Sequence, residues 1–420
     1  MIRRDRIGVV AAALVLPLAL QAQTAPLPIL LKPEAPMAGP ETLILTGSEA
    51  GFENWVAAFR PRALAEGISA RTFDRAFRSV RYSAEVIDRD RRQGEFTRAI
   101  WDYLDRAVSD ERVANGKAAL KTYRKLLSRI EATYGVDKEV VVAVWGMESA
   151  YGRAMGGYNL IEALATLAYD GRRGPFFEGQ LVAALKIIEA GDVTPERMTG
   201  SWAGAMGHTQ FMPTSYLSYA VDFTGDGRRD IWGEDPADAL ASTAAYLARF
   251  GWRKGQPWGT EVTLPPGFDV SLTGDGITKS AAEWTRLGIR DAEGRVVGDR
   301  GPVSILLPAG ARGAAFMIFP NFRVIERYNA ADAYVIAIGH LSDRIRGGPP
   351  IRHPWPRNDR ALALEERIEL QERLTRAGYD TGGADGKVGP KTIAALRAFQ
   401  RDQGMIPDGY ASLEILKRLR

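Results

Sequence analysis

Hydrophobic side chains recur at the spacing of an α-helix along most of this 420-residue chain. One helix-spaced stripe begins near residue 50, and its members are Phe52, Trp55, Val56 and Phe59. Gly67 and Ser69 come next and predict a helix end and a new N-cap. A second stripe, closed by Gly135, consists of Tyr123, Leu127, Ile130 and Tyr134. The pattern predicts a predominantly α-helical protein in which these aromatic side chains belong to the core.

The pattern changes between residues 255 and 322, where short apolar runs typical of β-strands alternate with Gly/Pro turns. The runs are residues 261–264, 303–307 and 315–319. Helical spacing returns over residues 331–345. We therefore predict an α+β fold in which a small β-rich insertion, about residues 255–322, interrupts a helical domain formed by residues 49–345.

A smaller unit is predicted at the C-terminus. Residues 346–359 contain Gly-Gly-Pro-Pro and two further prolines, which indicates a semi-rigid linker. Residues 360–420 then contain three short helical patterns, at about 364–377, 390–403 and 412–419. Pro390 suits a first helical turn and Ser412 suits an N-cap. Since about 60 residues form only a small core, we predict an attached three-helix module.

The N-terminus has the layout of an export signal. Three arginines precede an apolar stretch, residues 7–20, and small and polar residues follow it. Such a stretch is too short to span a bilayer comfortably, which favours a cleaved signal peptide over residues 1–24. An uncleaved membrane anchor is the alternative. Residues 25–48, rich in proline up to residue 40, are interpreted as a linker.

The amino-acid composition argues against several kinds of binding and catalysis. The chain is 45% hydrophobic and 25% charged, with a formal net charge of +4 and no basic run interleaved with aromatics, so no nucleic-acid partner is expected. The absence of cysteine excludes thiol catalysis, disulfides, cysteine-based metal sites and a lipid-anchored N-terminal cysteine. The three histidines, His208, His340 and His353, are too widely spread to suggest a histidine-built metal site.

Residues 137–152 contain the strongest candidate for catalysis. On a helix, Glu148 shares one face with Val141, Val144 and Trp145. That apolar face would remove water from the carboxyl and raise its pKa. A carboxylic acid that stays protonated at neutral pH is what general-acid cleavage of a glycosidic bond needs. The alternative is a glutamate at a fraying helix end that points into solvent.

A second motif, Ser-Trp-Ala-Gly-Ala-Met-Gly-His-Thr-Gln-Phe-Met-Pro at residues 201–213, favours the catalytic alternative. Together with Trp-Gly-Met-Glu-Ser-Ala-Tyr-Gly at residues 145–152, it resembles the B-type family of lytic murein transglycosylases, glycoside hydrolase family 103, over about residues 50–345. The resemblance implies a lysozyme-like core with an added α domain and a small β insertion. It also implies an enzyme that acts on peptidoglycan glycan strands and requires no cofactor for its chemistry.

The family's functional positions carry over to single residues of this chain. The resemblance makes Glu148 the one acid/base catalyst, matches Ser201 and Gln210 to polar groups beside it, and puts Phe211 in the same loop. It also implies a basic pair near the glycan cleft and a lining of aromatic and amide groups at the sugar subsites, namely Arg172, Arg173, Tyr103, Tyr246, Tyr328, Asn329 and Tyr334. For any one tyrosine, a core position with a satisfied hydroxyl is the alternative.

A single carboxylate is one fewer than ordinary glycosidases use. In the resembling family the glutamate protonates the oxygen that bridges N-acetylmuramic acid and N-acetylglucosamine. It then removes the 6-hydroxyl proton as a 1,6-anhydro ring closes, because an internal nucleophile has a large effective molarity. Two alternatives stay open. One is a muramidase that uses the same glutamate with water, and the other is a non-catalytic wall-binding protein in which Glu148 would be exposed and salt-bridged.

An acidic loop at residues 222–230 has the spacing of an EF-hand-like calcium loop. Oxygen ligands fall at positions 1, 3, 5, 7 and 9, the seventh being a backbone carbonyl, and are offered by Asp222, Thr224, Asp226, Arg228 and Asp230. Position 12 is Gly233 where an EF-hand has glutamate. In the resembling family a later aspartate completes the site, and its counterpart here is Asp238. We expect calcium in a purely structural role, with a solvated turn as the alternative.

The C-terminal module resembles the three-helix peptidoglycan-binding module of many wall hydrolases over about residues 360–420. The resemblance rests on pairs such as Leu370-Gln371, Gly378-Tyr379, Asp385-Gly386 and Phe399-Gln400. The whole chain therefore predicts an exported periplasmic enzyme without a lipid anchor. Its expected partner is the peptidoglycan glycan strand, without stable membrane insertion after signal cleavage.

Overall fold

The computed structural model describes residues 47–91 and 98–420, and helices predominate in them. The predicted signal peptide and all but the end of the following linker lie outside the described residues. Within the described ranges, no helix is both long and apolar enough to cross a membrane. The first helices are α1 (Glu49–Ala65), α2 (Ala70–Ala76), α3 (Ala84–Arg91), α4 (Ile100–Ala107), α5 (Asp110–Thr122), α6 (Arg124–Tyr134) and α7 (Lys138–Ser149).

The helix signals of the sequence are confirmed at these elements. Ser69 caps α2 by accepting a hydrogen bond from the Thr72 backbone N–H. Gly135 ends α6 in the left-handed conformation, with φ of 64°, which glycine adopts without steric cost. Phe52 and Phe59 of the first stripe are buried on α1. The predominantly helical α+β class is therefore confirmed.

The main core continues through four more helices and a two-stranded antiparallel ribbon. These are β1 (Tyr158–Asn159), α8 (Leu160–Asp170), α9 (Gly174–Ala190), β2 (Thr199–Gly200), α10 (Pro213–Tyr219) and α11 (Ala237–Arg249). Helix α7 lies at the centre of this core, and its run from Val140 to Val144 is buried on all sides. An apolar helix of this kind is stable only when its neighbours enclose it.

The predicted insertion is a small antiparallel sheet. Its elements are β3 (Gly259–Thr263), α12 (Ala281–Arg286), β4 (Arg290–Asp291), β5 (Ser304–Leu306), β6 (Pro308–Ala311) and β7 (Ala315–Ile318). Four strands form one sheet in the order β4-β3-β7-β5. Trp284 of α12 is fully buried and donates from its indole N–H to the Val303 carbonyl at 3.1 Å. Three strands match the predicted runs, whereas β4 is a polar Arg-Asp pair and β6, Pro-Ala-Gly-Ala, has no large apolar side chain, so no apolar run predicts them.

The chain then returns to the main core. Helices α13 (Pro320–Glu326) and α14 (Asp332–Arg346) follow the insertion, and α7 packs against both α5 and α14. The C-terminal module contains α15 (Leu364–Arg376), α16 (Pro390–Asp402) and α17 (Leu413–Leu419), as predicted. Its core is separate and consists of Leu362, Leu370, Leu374, Ala395, Leu396, Phe399, Ile415 and Leu416.

The predicted linker lies along the helical domain. Trp355 packs against Trp101 and Phe316, with ring centroids 6.4 and 6.5 Å apart. Glu261 of β3 accepts the backbone N–H groups of Arg352 and His353 at 2.9 and 2.7 Å. These contacts order the segment that connects the module to the rest of the chain.

The module itself is docked on the insertion. The Asp408 carboxylate accepts the Ala311 backbone N–H at 2.9 Å, and Arg397 donates to the Thr273 carbonyl at 3.0 Å. Arg312 forms an ion pair with Asp359 at 3.0 Å. These three polar contacts, two from the module and one from Asp359 at the end of the linker, hold the module beside the insertion.

Candidate active site

Helix α7 presents Glu148 from its last turn. Val141 and Val144 are fully buried and Trp145 is 3% exposed, so the face that Glu148 shares with them is apolar. Burial raises the pKa of the Glu148 carboxyl to about 7, while a hydrogen bond from the Tyr334 hydroxyl to Oε1 lowers it. A substantial fraction of this carboxyl is therefore protonated at neutral pH.

Three tyrosines surround that carboxyl. Tyr334 stands in the first turn of α14, Tyr328 follows α13, and Tyr103 comes from α4. Burial and, to a smaller extent, the negative charge of Glu148 raise the pKa of all three phenols, in the case of Tyr103 to about 12. The Tyr328 hydroxyl donates to the Thr209 carbonyl at 2.6 Å. Because the phenols stay protonated, they are hydrogen-bond donors around the acid.

Residues 201–213 form the loop beside α7. Ser201 Oγ accepts the Ala205 backbone N–H at 2.9 Å, which closes the start of the loop. The Gln210 amide group donates to the carbonyls of Met155 and Gly207 at 3.0 and 2.8 Å. Both amide protons are thereby committed to backbone, and the Gln210 Oε1 atom has no partner in the described part of the chain. It can accept a hydrogen bond from an N–H of a bound molecule.

The backbone is strained at the same place. Among the described residues, the non-glycine residues with clearly positive φ are Ala150, Tyr151 and Gln210, at 50°, 62° and 54°. All three belong to the two motifs that carry the candidate site. Such conformations cost of the order of 1–3 kcal/mol each and persist only where the surrounding structure imposes them. The local shape of the site is therefore imposed by the fold.

Two predicted lining residues lie behind this layer. Phe211 is 3% exposed and Tyr246 is 1% exposed, and the Tyr246 hydroxyl donates to the Arg327 carbonyl at 2.6 Å. Their rings lie 5.9 and 5.2 Å from that of Tyr328. Both rings therefore support Tyr328 from behind, and a direct contact of either ring with sugar stays a prediction.

Asn329 and the basic pair Arg172 and Arg173 are the remaining predicted site residues, and they lie in two different parts of the structure. Asn329 directly follows Tyr328 in sequence and is partly buried. Its side-chain oxygen accepts the Ala331 backbone N–H at 3.0 Å. Arg172 and Arg173, between α8 and α9, each bind the buried Asp90 carboxylate of α3 at 2.5 Å. The Asp90 carboxylate therefore holds the two guanidinium groups side by side.

The acidic loop brings three carboxylates together. Carboxylate oxygens of Asp222, Asp226 and Asp238 lie within 4.8 Å of one another, and no Lys or Arg pairs with them in residues 47–91 and 98–420. The Thr224 hydroxyl donates to Asp222 at 3.2 Å, and Asp226 accepts the Arg228 backbone N–H at 2.9 Å. Oxygen ligands with uncompensated negative charge fit a hard cation such as calcium.

Asp230, at the ninth position of that loop, does not join the group of three carboxylates. Asp230 forms an ion pair with Arg197 at 3.4 Å and accepts the backbone N–H groups of Trp232 and Gly233, both at 2.9 Å. Asp238 instead accepts three backbone N–H groups from the loop, which holds the loop against α11. The predicted Asp238 is thus at the candidate metal position, while Asp230 belongs to the loop's support.

A second acidic group has different surroundings. Glu131, Asp137 and Glu139 also place carboxylate oxygens within 4.8 Å of one another. They are paired with three basic side chains at 3.1 to 3.8 Å, namely Lys138, Lys254 and Arg346. The charge is compensated there, so this group is an ion-pair network of the fold.

Comparisons with known proteins agree with this geometry. Residues 51–343 match the family model described as "Transglycosylase SLT domain", and residues 364–419 match "Putative peptidoglycan binding domain". The chain is 34% identical over 250 residues to the membrane-bound lytic murein transglycosylase B of Escherichia coli K12, which covers 58% of this chain and 66% of that protein.

Solved structures extend the comparison. SltB3 from Pseudomonas aeruginosa, in complex with NAG-anhNAM-pentapeptide, is 51% identical, with a TM-score of 0.86, over 88% of this chain and 99% of that one. The Escherichia coli lytic transglycosylase Slt35 in complex with calcium is 29% identical, with a TM-score of 0.60, over 71% of this chain and 93% of that one. The match over residues 51–343 covers more than half of the sequence, and the chain belongs to the transglycosylase SLT domain family.

Proposed function

We propose that this chain is a lytic murein transglycosylase. It cleaves the β-1,4 bond between N-acetylmuramic acid and N-acetylglucosamine in peptidoglycan and leaves a 1,6-anhydro-N-acetylmuramic acid end. Family membership supports the reaction class. The complexes of SltB3 with NAG-NAM-pentapeptide and NAG-anhNAM-pentapeptide support the substrate and the product.

The environment of Glu148 is the observation on which the proposal rests. Burial and the Tyr334 hydroxyl account for its pKa of about 7, and among residues 47–91 and 98–420 no neighbouring carboxylate contributes to that value. A partner at the distance used by retaining glycosidases, about 5 Å, would act on Glu148 by like-charge repulsion. One acid that is partly protonated at neutral pH can serve first as the donor and then as the base.

The reaction then proceeds with one residue. The Glu148 carboxyl gives its proton to the glycosidic oxygen, the bond from that oxygen to the muramic C1 breaks, and N-acetylglucosamine leaves with a free 4-hydroxyl. The Glu148 carboxylate next takes the proton of the muramic 6-hydroxyl, whose oxygen bonds to C1. No water is consumed, and the glutamate is returned to its protonated form. The Tyr334 hydroxyl stabilises the carboxylate between the two steps.

Supporting roles follow from the same geometry. The fixed Gln210 amide offers its free oxygen to the acetamido N–H of the substrate. Tyr103, Asn329 and the basic pair Arg172 and Arg173 are proposed to contact glycan or its carboxylates. One rival is disfavoured: a wall-binding scaffold predicts an ion-paired Glu148, and no ion pair to it occurs in the described residues. A muramidase would need an ordered water in place of the 6-hydroxyl.

The remaining parts fit a cell-wall enzyme. We propose residues 49–345 as the catalytic domain, 346–359 as its linker and 360–420 as a peptidoglycan-binding domain. A calcium ion held by Asp222, Asp226 and Asp238, with Thr224 and the Arg228 carbonyl, would fasten the loop to α11 and take no part in catalysis. Export to the periplasm through residues 1–24 brings the enzyme to its substrate.

The experiment is release of soluble fragments from purified sacculi. Wild-type protein should solubilise sacculi, and Glu148→Gln should bind them equally but release nothing, because an amide can neither donate nor recover the proton. The matched control is Glu53→Gln, an exposed glutamate of α1. Release by Glu148→Gln at a rate near that of wild type would refute the role of Glu148.

A further inference from the structure

His208 has no role in the sequence-based predictions, yet the structure buries it between the two motifs. It is 5% exposed. Its Nδ1 atom accepts the Trp145 indole N–H at 3.1 Å, and its backbone carbonyl accepts the Ser149 hydroxyl at 2.6 Å. Trp145 and Ser149 stand three residues before and one residue after Glu148 on α7. The two hydrogen bonds thus enclose the turn that carries the catalytic acid.

The other side of His208 is bound as firmly. Its Nε2 atom donates to the Gly233 carbonyl at 2.7 Å, and its backbone N–H donates to the Ile231 carbonyl at 3.0 Å. An indole N–H only donates and a carbonyl only accepts. The imidazole must therefore be neutral, with its proton on Nε2. Burial lowers the pKa of His208, against the opposing effects of the Gly233 hydrogen bond and the charges of Asp230 and Asp235, which favours this neutral form.

The neighbouring backbone leaves no room for another arrangement. A Cβ atom added at Gly152 would stand 2.6 Å from both Cε1 and Nδ1 of the His208 ring. Gly152 also has a φ of 85° and follows two strained residues, Ala150 and Tyr151. Three successive left-handed residues thus follow α7, and the third, Gly152, lies against the imidazole. An end of this kind would fray without outside contacts.

We infer that His208 is a positioning residue. It fixes the position of the last turn of α7 relative to the Thr209–Gln210 segment that follows it. The inference rests on the proposed function. The same short segment binds Tyr328 through the Thr209 carbonyl. His208 therefore sets the distance between the acid Glu148 and the groups opposite it, although it touches no reacting atom.

The test compares two replacements of His208 that keep different halves of its hydrogen bonding. His208→Asn keeps an acceptor near Trp145, and His208→Gln keeps a donor that reaches toward Gly233. Trp145→Phe removes the same Trp145 contact from the other partner. His340→Gln, at a partly buried histidine of α14, is the matched control. Each variant is assayed as the full chain for kcat, KM and the pH dependence of kcat on soluble glycan fragments, and for Tm.

A positioning role predicts a loss in kcat. His208→Gln and Trp145→Phe should lower kcat by about 10- to 100-fold, the effect of displacing a reacting group by about 1 Å. KM should stay within about threefold of the wild-type value. Their double variant should lose no more than either single variant, because both remove one interaction. His208→Asn should retain more kcat than His208→Gln, and His340→Gln should match wild type.

The pH profile separates positioning from stability. In the wild-type protein, Glu148 faces Tyr103, Tyr328 and Tyr334 and has a pKa of about 7. If the end of α7 is loosened, water reaches the Glu148 carboxyl and its pKa falls toward 4.5. The alkaline limb of kcat should therefore move down by about one pH unit. A lower Tm with unchanged kcat and an unchanged limb would overturn the inference. If His208→Gln fails to fold, Trp145→Phe decides by the same criteria. An inactive wild type would instead refute the proposed function.

Discussion

Replacing Glu148 by glutamine should stabilise the protein at alkaline pH. The pKa of the Glu148 carboxyl is about 7 in the folded protein, against 4.5 for an unperturbed glutamate. The folded state binds this proton more tightly, so the stability it contributes is fully present below pH 4.5 and is lost as pH rises through 7. The difference between the two pKa values corresponds to about 3 kcal/mol. A glutamine carries no such dependence.

The assay is urea unfolding of wild type and Glu148→Gln at pH 4.5 and pH 8. The free energy of unfolding of the variant, relative to wild type, should increase by about 3 kcal/mol between the two pH values. Glu53→Gln, at an exposed position of α1, should show no comparable change. If the difference in the free energy of unfolding between Glu148→Gln and wild type is the same at both pH values, burial does not hold this carboxyl protonated.

Three further results are expected. Tyr334→Phe removes a hydrogen bond that lowers the pKa of Glu148, so the alkaline limb of kcat should move up by about one pH unit, and a downward move would contradict this. Millimolar calcium should raise Tm in wild type and not in Asp226→Ala, whereas identical melting with calcium and with chelator would leave the loop as a turn. Removing residues 360–420 should slow release from sacculi and leave cleavage of short glycans nearly unchanged. Equal rates on sacculi would exclude a targeting role.

Local patterns predicted the helices well. Helix-spaced stripes with Ser69 and Gly135 at their ends predicted α1, α2 and α6, because caps and apolar faces depend on neighbours in the chain. The apolar face around Glu148 follows from the same periodicity. The raised pKa could therefore be anticipated, whereas the Tyr334 hydroxyl that opposes it lies 186 residues away in sequence.

Contacts between distant elements could not be predicted from such patterns. Tyr246 was predicted to line a sugar subsite, but its ring packs against Phe211 and Tyr328, which lie 35 and 82 residues away in sequence, and only the fold reveals these contacts. His208 is one histidine in a loop motif until the fold brings Trp145 to its Nδ1 atom. The one available signal was its place directly after Gly207 in that motif, which also suits a surface loop.

The central claim is that Glu148 acts alone and closes an internal ring. The direct test is mass spectrometry of the fragments that wild type releases from purified sacculi, with and without prior borohydride reduction. Muramic ends should have the mass of the 1,6-anhydro sugar, 18 Da (one water) below that of a hydrolysed end, and should not change on reduction. Ends that gain two hydrogens with borohydride would show that water attacks C1, and the enzyme would be a muramidase.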